Sequence, residues 1–384
     1  MKSCWALLLC LLLGACATGG APSADSRRLL DDSLFAAPSV KVSADDVMAL
    51  SPAMREVLRT EVMPVMRGSD PRRALVQALQ RGGLLRLEYD AEVTRTAAEA
   101  FEARAGNCLS LVIMTAAFAR EAGLPLRFQK VRTEDAWSRS EGLVFAIGHV
   151  NLAMGRLSGR PFADALGPEW VIVDFYPDQD IRRQQVEVLT ERRVLALYMN
   201  NKSAEALAAG QVDDAYAWAR AAIGQDPSLS SSFNLLGVVY GQRGHWAHAD
   251  RALTEALRLD PVNLHAMGNR VGALTRLGRD DEARLLAAEL QRRQPVAPFA
   301  AFDEGLALLR EGRYEAAEAL FKKELGRTAQ YHEVHFWLAV AQFKLGARAS
   351  ALEHLQLALD NSTSRQQQAV YAAKLDHLKS LGVR

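Results

Sequence analysis

Apolar and polar positions change rhythm along the chain, and each rhythm predicts a different kind of element. From Trp5 to Leu13 every residue is apolar. About nine such residues fall well short of the ~20 that a bilayer-spanning helix needs. From Thr18 to Asp32 the chain turns small and polar, with Gly, Ser and Pro, the composition of a flexible tether. Helical spacing appears over residues 43–82, through Val47, Leu50, Met54 and Leu58, with Ser43 and Asp46 as a capping signal at its start. Gly106-Asn107 then breaks a helix, and Cys108 opens a strongly apolar one that stops at Gly123 and Pro125. Next, Leu126–Val131, Leu143–Met154 and Trp170–Phe175 are apolar and β-branched with turn residues between them, which predicts a small antiparallel sheet.

The remaining half is helical and periodic. Gly210, Gly244, Gly278, Gly312 and Gly346 stand 34 residues apart, and Ala215, Ala249, Ala283, Ala317 and Ala351 follow each by five. Pro227, Pro261 and Pro295 keep the same step. A fixed period of this length predicts stacked helical hairpins. Each Gly closes a first helix in a left-handed conformation, each Ala admits close helix–helix approach, and each Pro ends a second helix. Residues 365–381 read as a polar-faced capping helix.

The second unit, with Phe233, Leu236-Gly237, Tyr240, Gly244, Ala249, Leu253, Ala256 and Pro261, closely resembles the tetratricopeptide pattern. The resemblance covers five units over about 196–363. Units one, three and four depart from it at Lys202, Arg270 and Ala329, which predicts uneven packing there. It implies a concave groove that binds a peptide or partner protein. Asn200 and Asn234 fall at matching positions of helices expected to line that groove, with Asn269 one position out of phase. They either hydrogen-bond an extended peptide or satisfy nearby helix ends. His245, His248 and His265 lack an acidic or Cys ligand set around them and read as solvated surface residues.

Composition narrows the function. The chain has 384 residues, 46 Lys and Arg against 45 Asp and Glu, and a net charge of +1, so there is no basic footprint for nucleic acid. Of its four cysteines, Cys4, Cys10 and Cys16 lie in the first sixteen residues and Cys108 stands alone, which argues against a disulfide framework. Leu13-Gly14-Ala15-Cys16, after Lys2 and the apolar run, resembles the lipobox of bacterial lipoprotein precursors. That resemblance implies cleavage before Cys16 and its lipidation. With Ala17 rather than Asp following, it also implies an outer-membrane anchor facing the periplasm. Several acyl chains hold a protein stably, whereas one gives marginal binding.

Candidate chemistry centres on Cys108. A thiol in the first turn of a helix meets unpaired backbone N–H groups and the positive end of the dipole, which favour the thiolate and an oxyanion. A Cys nucleophile needs a base, and the base needs an acceptor that fixes its tautomer. His149 lies within the middle strand and Asp174 at the end of the last, so all three parts occur in order. No second His or Cys accompanies them, so no metal set forms. Gly106-Asn107-Cys108-Leu109-Ser110, residues 119–124, the later His149 and Val173-Asp174-Phe175 resemble the transglutaminase-like superfamily of papain-like cysteine hydrolases. The resemblance covers about residues 85–178. It implies Cys108 as nucleophile, His149 as general base and acid, and Asp174 as the orienting carboxylate. The family often follows its His with Ala-Trp, whereas Val150-Asn151 stands here; Tyr89 is the substitute for a missing oxyanion-hole Trp. Gln129 and Trp137 are either edges of a substrate groove or packing residues, and Arg182-Arg183 and Arg192-Arg193 read as solvated helix faces.

The expected architecture is therefore a signal peptide (1–15), a lipidated flexible tether (16–39), an α+β transglutaminase-like domain (40–190) and an all-α tetratricopeptide solenoid (191–384). The expected function is a lipid-anchored periplasmic enzyme of cysteine-dependent acyl transfer, most simply amide or peptide hydrolysis. It needs no cofactor, and its repeats recruit a protein substrate. The alternative is a catalytically silent domain in an envelope scaffold that works by protein interaction.

Overall fold

The computed structural model describes residues 28–66, 70–80, 88–89, 93–131, 137–140, 143–146, 149–155, 170–175, 185–294, 299–362 and 364–380. The expected signal segment, Cys16, Arg182-Arg183 and Pro295 lie outside the described residues, as do the side chains of Tyr89 and Trp137.

The N-terminal region is α+β. Helix α1 (Pro52–Val57) runs through a π-helical turn, Leu58–Val62, into α2 (Met63–Met66), and α3 (Pro71–Gln80) follows. The expected helix start at Ser43 is displaced. Ser43 Oγ does accept from the Asp46 N–H, at 3.4 Å, but only a turn forms there. The helix begins where Ser51 caps the Met54 N–H and Pro52, whose fixed φ suits a first turn, occupies N1. Strand β1 (Glu88–Tyr89) pairs in parallel with β2 (Ala105–Gly106). Between them α4 (Ala97–Ala103) starts on a reciprocal capping box of Thr96 and Glu99. Helix α5 (Cys108–Glu121) is buried from Cys108 to Ala119.

Strands β3 (Leu126–Val131), β6 (His149–Met154), β7 (Val171–Val173) and β8 (Val186–Leu189) form one antiparallel sheet in the order β7-β6-β3-β8. A separate hairpin joins β4 (Trp137–Ser140) to β5 (Leu143–Ala146). The expected strand over 143–154 is thus two: β5 belongs to the hairpin and β6 to the main sheet. The fourth strand, β8, was not expected.

Ten helices follow in five pairs: α6 (Glu191–Ala208) and α7 (Val212–Gln225), α8 (Ser230–Gln242) and α9 (Trp246–Leu259), α10 (Leu264–Arg276) and α11 (Asp280–Arg293), α12 (Ala300–Arg310) and α13 (Tyr314–Leu325), α14 (His332–Lys344) and α15 (Arg348–Asp360). A last helix, α16 (Arg365–Ser380), caps the stack. All five periodic glycines have φ between 71° and 79°, the left-handed closure that the period predicts. Packing is thin at unit three, as expected, where α11 buries only Ala283 and Leu285 is 73% exposed, but not at units one and four, where α6 buries nine residues and α13 buries Ala317, Phe321 and Glu324. Among the described residues no helix is long and apolar enough to cross a membrane.

Two features join what the sequence divides. Val194, Leu195, Tyr198 and Met199 of α6, with Trp218 and Ala222 of α7, belong to the same core as α5 and the sheet. Residues 28–39, expected as part of a flexible tether, are docked on the first two helical pairs. There Leu29, Leu30, Leu34 and Phe35 pack against the core that includes Tyr216, Phe233 and Tyr240. Arg192 and Arg193 are not simply solvated either. Arg192 donates to the carbonyls of Gln225 and Gly224, and Arg193 pairs with Asp226, tying the start of α6 to the end of α7.

Candidate functional site

Cys108 is placed by its neighbours. Asn107, in extended conformation, caps α5: its Oδ1 accepts from the Ser110 N–H at 2.9 Å and from the Ser110 hydroxyl at 2.8 Å. Gly106 lets the incoming loop press on that first turn, since a Cβ there would lie 2.8 Å from Ser110 Cβ. Arg104 takes the left-handed conformation that turns the chain from α4 into β2. The thiol is buried and unbridged.

The cap is held in turn by the first repeat helix. Asn107 Nδ2 donates to Thr94 Oγ1 at 2.8 Å, and the Thr94 N–H donates to Glu205 Oε1 of α6 at 2.7 Å. Lys202 neutralises the same carboxylate at 2.8 Å. A cleft of about 360 Å³ runs along this contact, lined by Val93, Thr94, Arg95, Glu99, Glu102 and Lys202. It borders the cap rather than the thiol.

The sheet supplies the other two groups. His149 and Asn151 are two residues apart on β6 and share a face, because side chains alternate along a strand. Asp174 follows β7, the neighbour of β6. His149 Nε2 lies 2.8 and 2.7 Å from the two Asp174 oxygens, with both side chains almost inaccessible. Asn151 Nδ2 donates to Asp174 Oδ2 at 3.0 Å and so fixes the carboxylate from a second side. Burial works to lower the His149 pKa, but the hydrogen-bonded Asp174 carboxylate, with a smaller contribution from Cys108, outweighs it and raises it to about 9.

The structure thus pairs His149 with Asp174, and Cys108 lies close enough to His149 to contribute to its raised pKa. From the sequence Asn151 stands only as a departure after the His, yet it holds Asp174. Its strand position, two residues beyond His149, was the available signal. Gln129 stands opposite Asn151 on β3. It is fully buried, and neither amide atom has a hydrogen-bond partner among the described residues. Packing, not a groove edge, is its surrounding.

On the repeats, Asn200 donates to Ser231 Oγ at 3.0 Å, and Asn269 donates to Asn234 Oδ1 at 2.9 Å. Each bond spans consecutive units, linking α6 to α8 and α10 to α8. Nor is His248 a solvated surface residue: it faces Asp31 at 3.4 Å. Among the described residues no cluster of three or more His, Cys, Asp or Glu is arranged to hold a metal ion.

The sequence profile of the tetratricopeptide repeat matches residues 234–298 and 302–365. No curated protein matches the chain. Solved structures do. YrrB, described as a TPR protein with an unusual peptide-binding site, is 21% identical over 47% of this chain and 92% of its own, with a TM-score of 0.26. TTC0263, a thermophilic TPR protein of Thermus thermophilus, is 19% identical over 47% of this chain and 98% of its own, TM-score 0.30. PilF of Pseudomonas aeruginosa is 20% identical over 50% of this chain and 87% of its own, TM-score 0.29. Five helical pairs, their left-handed glycines and the profile match agree that the C-terminal half of this chain is a tetratricopeptide-repeat solenoid.

Proposed function

We propose that the chain works first as a protein-interaction scaffold, its repeats binding a peptide or partner protein. The observation that carries this reading is the solenoid itself: stacked hairpins present an extended surface out of proportion to what the N-terminal domain needs for folding. The first helices place the half-buried Asn234 and the exposed Asn269 where an extended backbone could reach them, whereas Asn200 is buried against Ser231. Pull-down from the native envelope with the full chain, against Asn234→Ala/Asn269→Ala, tests it. Equal recovery of every protein by both would remove these residues from the interface.

A second reading is favoured by one specific observation, the buried His149–Asp174 pair beside Cys108. On it, the N-terminal domain is transglutaminase-like and performs cysteine-dependent acyl transfer at an amide. The Cys108 thiolate adds to the carbonyl carbon while backbone N–H groups at the start of α5 hold the oxyanion. As the C–N bond breaks, His149 gives its proton to the leaving amine and a thioester remains. Water then attacks the thioester with His149 as base, releasing the acid and restoring the pair. An amine in place of water makes the product a new amide.

Iodoacetamide separates the two readings. An active pair alkylates at Cys108 at neutral pH at least tenfold faster than a free thiol, and His149→Ala removes the advantage. A rate equal to that of a free thiol leaves the scaffold alone. Lipidation at Cys16 and an outer-membrane site facing the periplasm complete the proposal. Fatty-acid labelling that persists in Cys16→Ser would refute that part.

A further inference from the structure

The docked segment 29–39 is held by a seat built from side chains of two repeats. Phe35 stacks on Tyr216 with ring centroids 3.9 Å apart and planes 7° from parallel, and it meets Tyr240 at 5.7 Å. The Arg243 guanidinium lies 6.0 Å from the Phe35 ring. The seat also reads the segment's backbone. Tyr240 OH accepts from the Asp31 N–H at 3.0 Å and donates to the Leu29 carbonyl at 2.9 Å. Asp213 accepts from the Ala36 N–H at 3.0 Å, and Asp214 takes both the N–H and the hydroxyl of Ser39 at 2.6 Å. The two acidic side chains are matched as well: Asp32 accepts from Tyr216 OH at 2.8 Å and faces Arg220 at 3.3 Å, while Asp31 faces His248.

Most of these groups lie on second helices (Asp213, Asp214, Tyr216 and Arg220 on α7, His248 on α9), with Tyr240 in the last turn of α8 and Arg243 at its C-cap. Asn200, Asn234 and Asn269 lie on first helices, and among the described residues none of them contacts the segment. An aromatic slot, backbone-directed acceptors and paired charges together are how proteins recognise an extended peptide. They are more than the chain needs merely to pass over a surface.

We propose that this seat is a peptide-binding site separate from the groove, occupied in cis by residues 29–39. The ligand it fits is an extended peptide with two adjacent acidic residues followed, three positions after the second, by an aromatic anchor. Occupancy shortens the leading segment. Release would free eleven residues, roughly 35–40 Å of extended chain at ~3.3–3.6 Å per residue. A competing peptide would thereby change how far the repeats stand from whatever holds the N-terminus.

The test uses the full chain and a fluorescent peptide of residues 28–40. In the unaltered protein the amides of Asp31, Ala36 and Ser39 should exchange at least tenfold more slowly than free chain, and the peptide should not bind. Asp32→Ala/Phe35→Ala alters only the docked strap. It should lose that protection and bind the peptide at micromolar concentration, and a peptide carrying the same two changes should fail to bind. Retained protection in the double variant overturns the proposal. So does peptide binding that is absent from both proteins or equal in the two. Unchanged far-UV dichroism of the variant shows that the repeats remain folded.

Discussion

At the scale of single residues, His149 sets the pH behaviour. Its imidazolium is stabilised chiefly by the Asp174 carboxylate at Nε2, with Cys108 adding less, so it holds its proton up to about pH 9. Because the folded pKa stands above the ordinary 6.5, the charged pair contributes stability below 6.5 that is lost as pH rises through about 9. On the acyl-transfer reading proposed above, the leaving amine needs that proton, whereas alkylation by iodoacetamide does not. Turnover of an amide substrate should therefore fall across about pH 8.5–9.5 while alkylation of Cys108 stays fast; parallel decline of both would assign the limb to unfolding. Gln129 argues the opposite kind of prediction. A buried amide without partners costs about 1–3 kcal/mol, so removing the polarity at constant volume relieves it. Gln129→Leu should raise stability by about 1 kcal/mol, read as a higher denaturation midpoint at unchanged slope. A lower midpoint would show that the amide has a partner in solution.

At the scale of elements, glycines divide by what surrounds them. A methyl on Gly237 would sit 2.5 Å from Leu253 Cγ, in a place where α8 and α9 touch and Leu253 is itself buried. Gly237→Ala should cost about 1–3 kcal/mol through overpacking. Gly272, in α10, has nothing within 4 Å of its Cβ position, so Gly272→Ala should gain about 0.5–1 kcal/mol from helix propensity. Thermal melts of the pair should move in opposite directions. In the last repeat, burial holds His332 near pKa 4, with His335 adding in the same direction. A base depressed below its unfolded value contributes stability above pH 6.5 and loses it as pH falls toward 4, on the order of 3 kcal/mol. His332→Gln should flatten the pH dependence of that melt.

The elements also show where sequence is informative. The glycine period encodes its own geometry, since only one residue type takes a positive φ without strain, and β3 shows in Leu126, Phe128 and Val131 between turn residues. Strand β8 was missed because Val186–Leu189 is four residues long and only Leu189 of them is buried, too little pattern to see. The strap was missed for a related reason. Leu29-Leu30 and Leu34-Phe35 are apolar pairs set in a polar segment, and their partners lie about 200 residues away, where no local rhythm reports them. The pairing of His149 with Asp174 was legible because a base needs an acceptor that fixes its tautomer. Asn151 acts only through Asp174, and no such requirement marks it.

At the scale of the whole molecule, the domain boundary near 190 separates the chain but not its core. Tyr198 and Trp218, which meet edge to face at 6.2 Å, lie in one cluster with Leu111, Met114, Phe128 and Leu152. Each such aromatic buries on the order of 150–250 Å². At ~25 cal/mol per Å², the pair alone supplies several kcal/mol, a large part of a typical domain's net stability. Glu205 adds the contact with Thr94 that steadies the cap beside Cys108. A chain ending at residue 190 should therefore lose its cooperative melt and expose apolar surface to a hydrophobic dye. One ending at 260 keeps both hairpins that carry the strap's seat and the shared core, and it should melt cooperatively and retain the Cys108 alkylation rate. A cooperative melt from the shorter chain would mean that the sheet and α5 close their core unaided. In that case the first repeat would be a neighbour of the N-terminal domain rather than a wall of it, and Glu205→Leu should then leave alkylation of Cys108 unchanged.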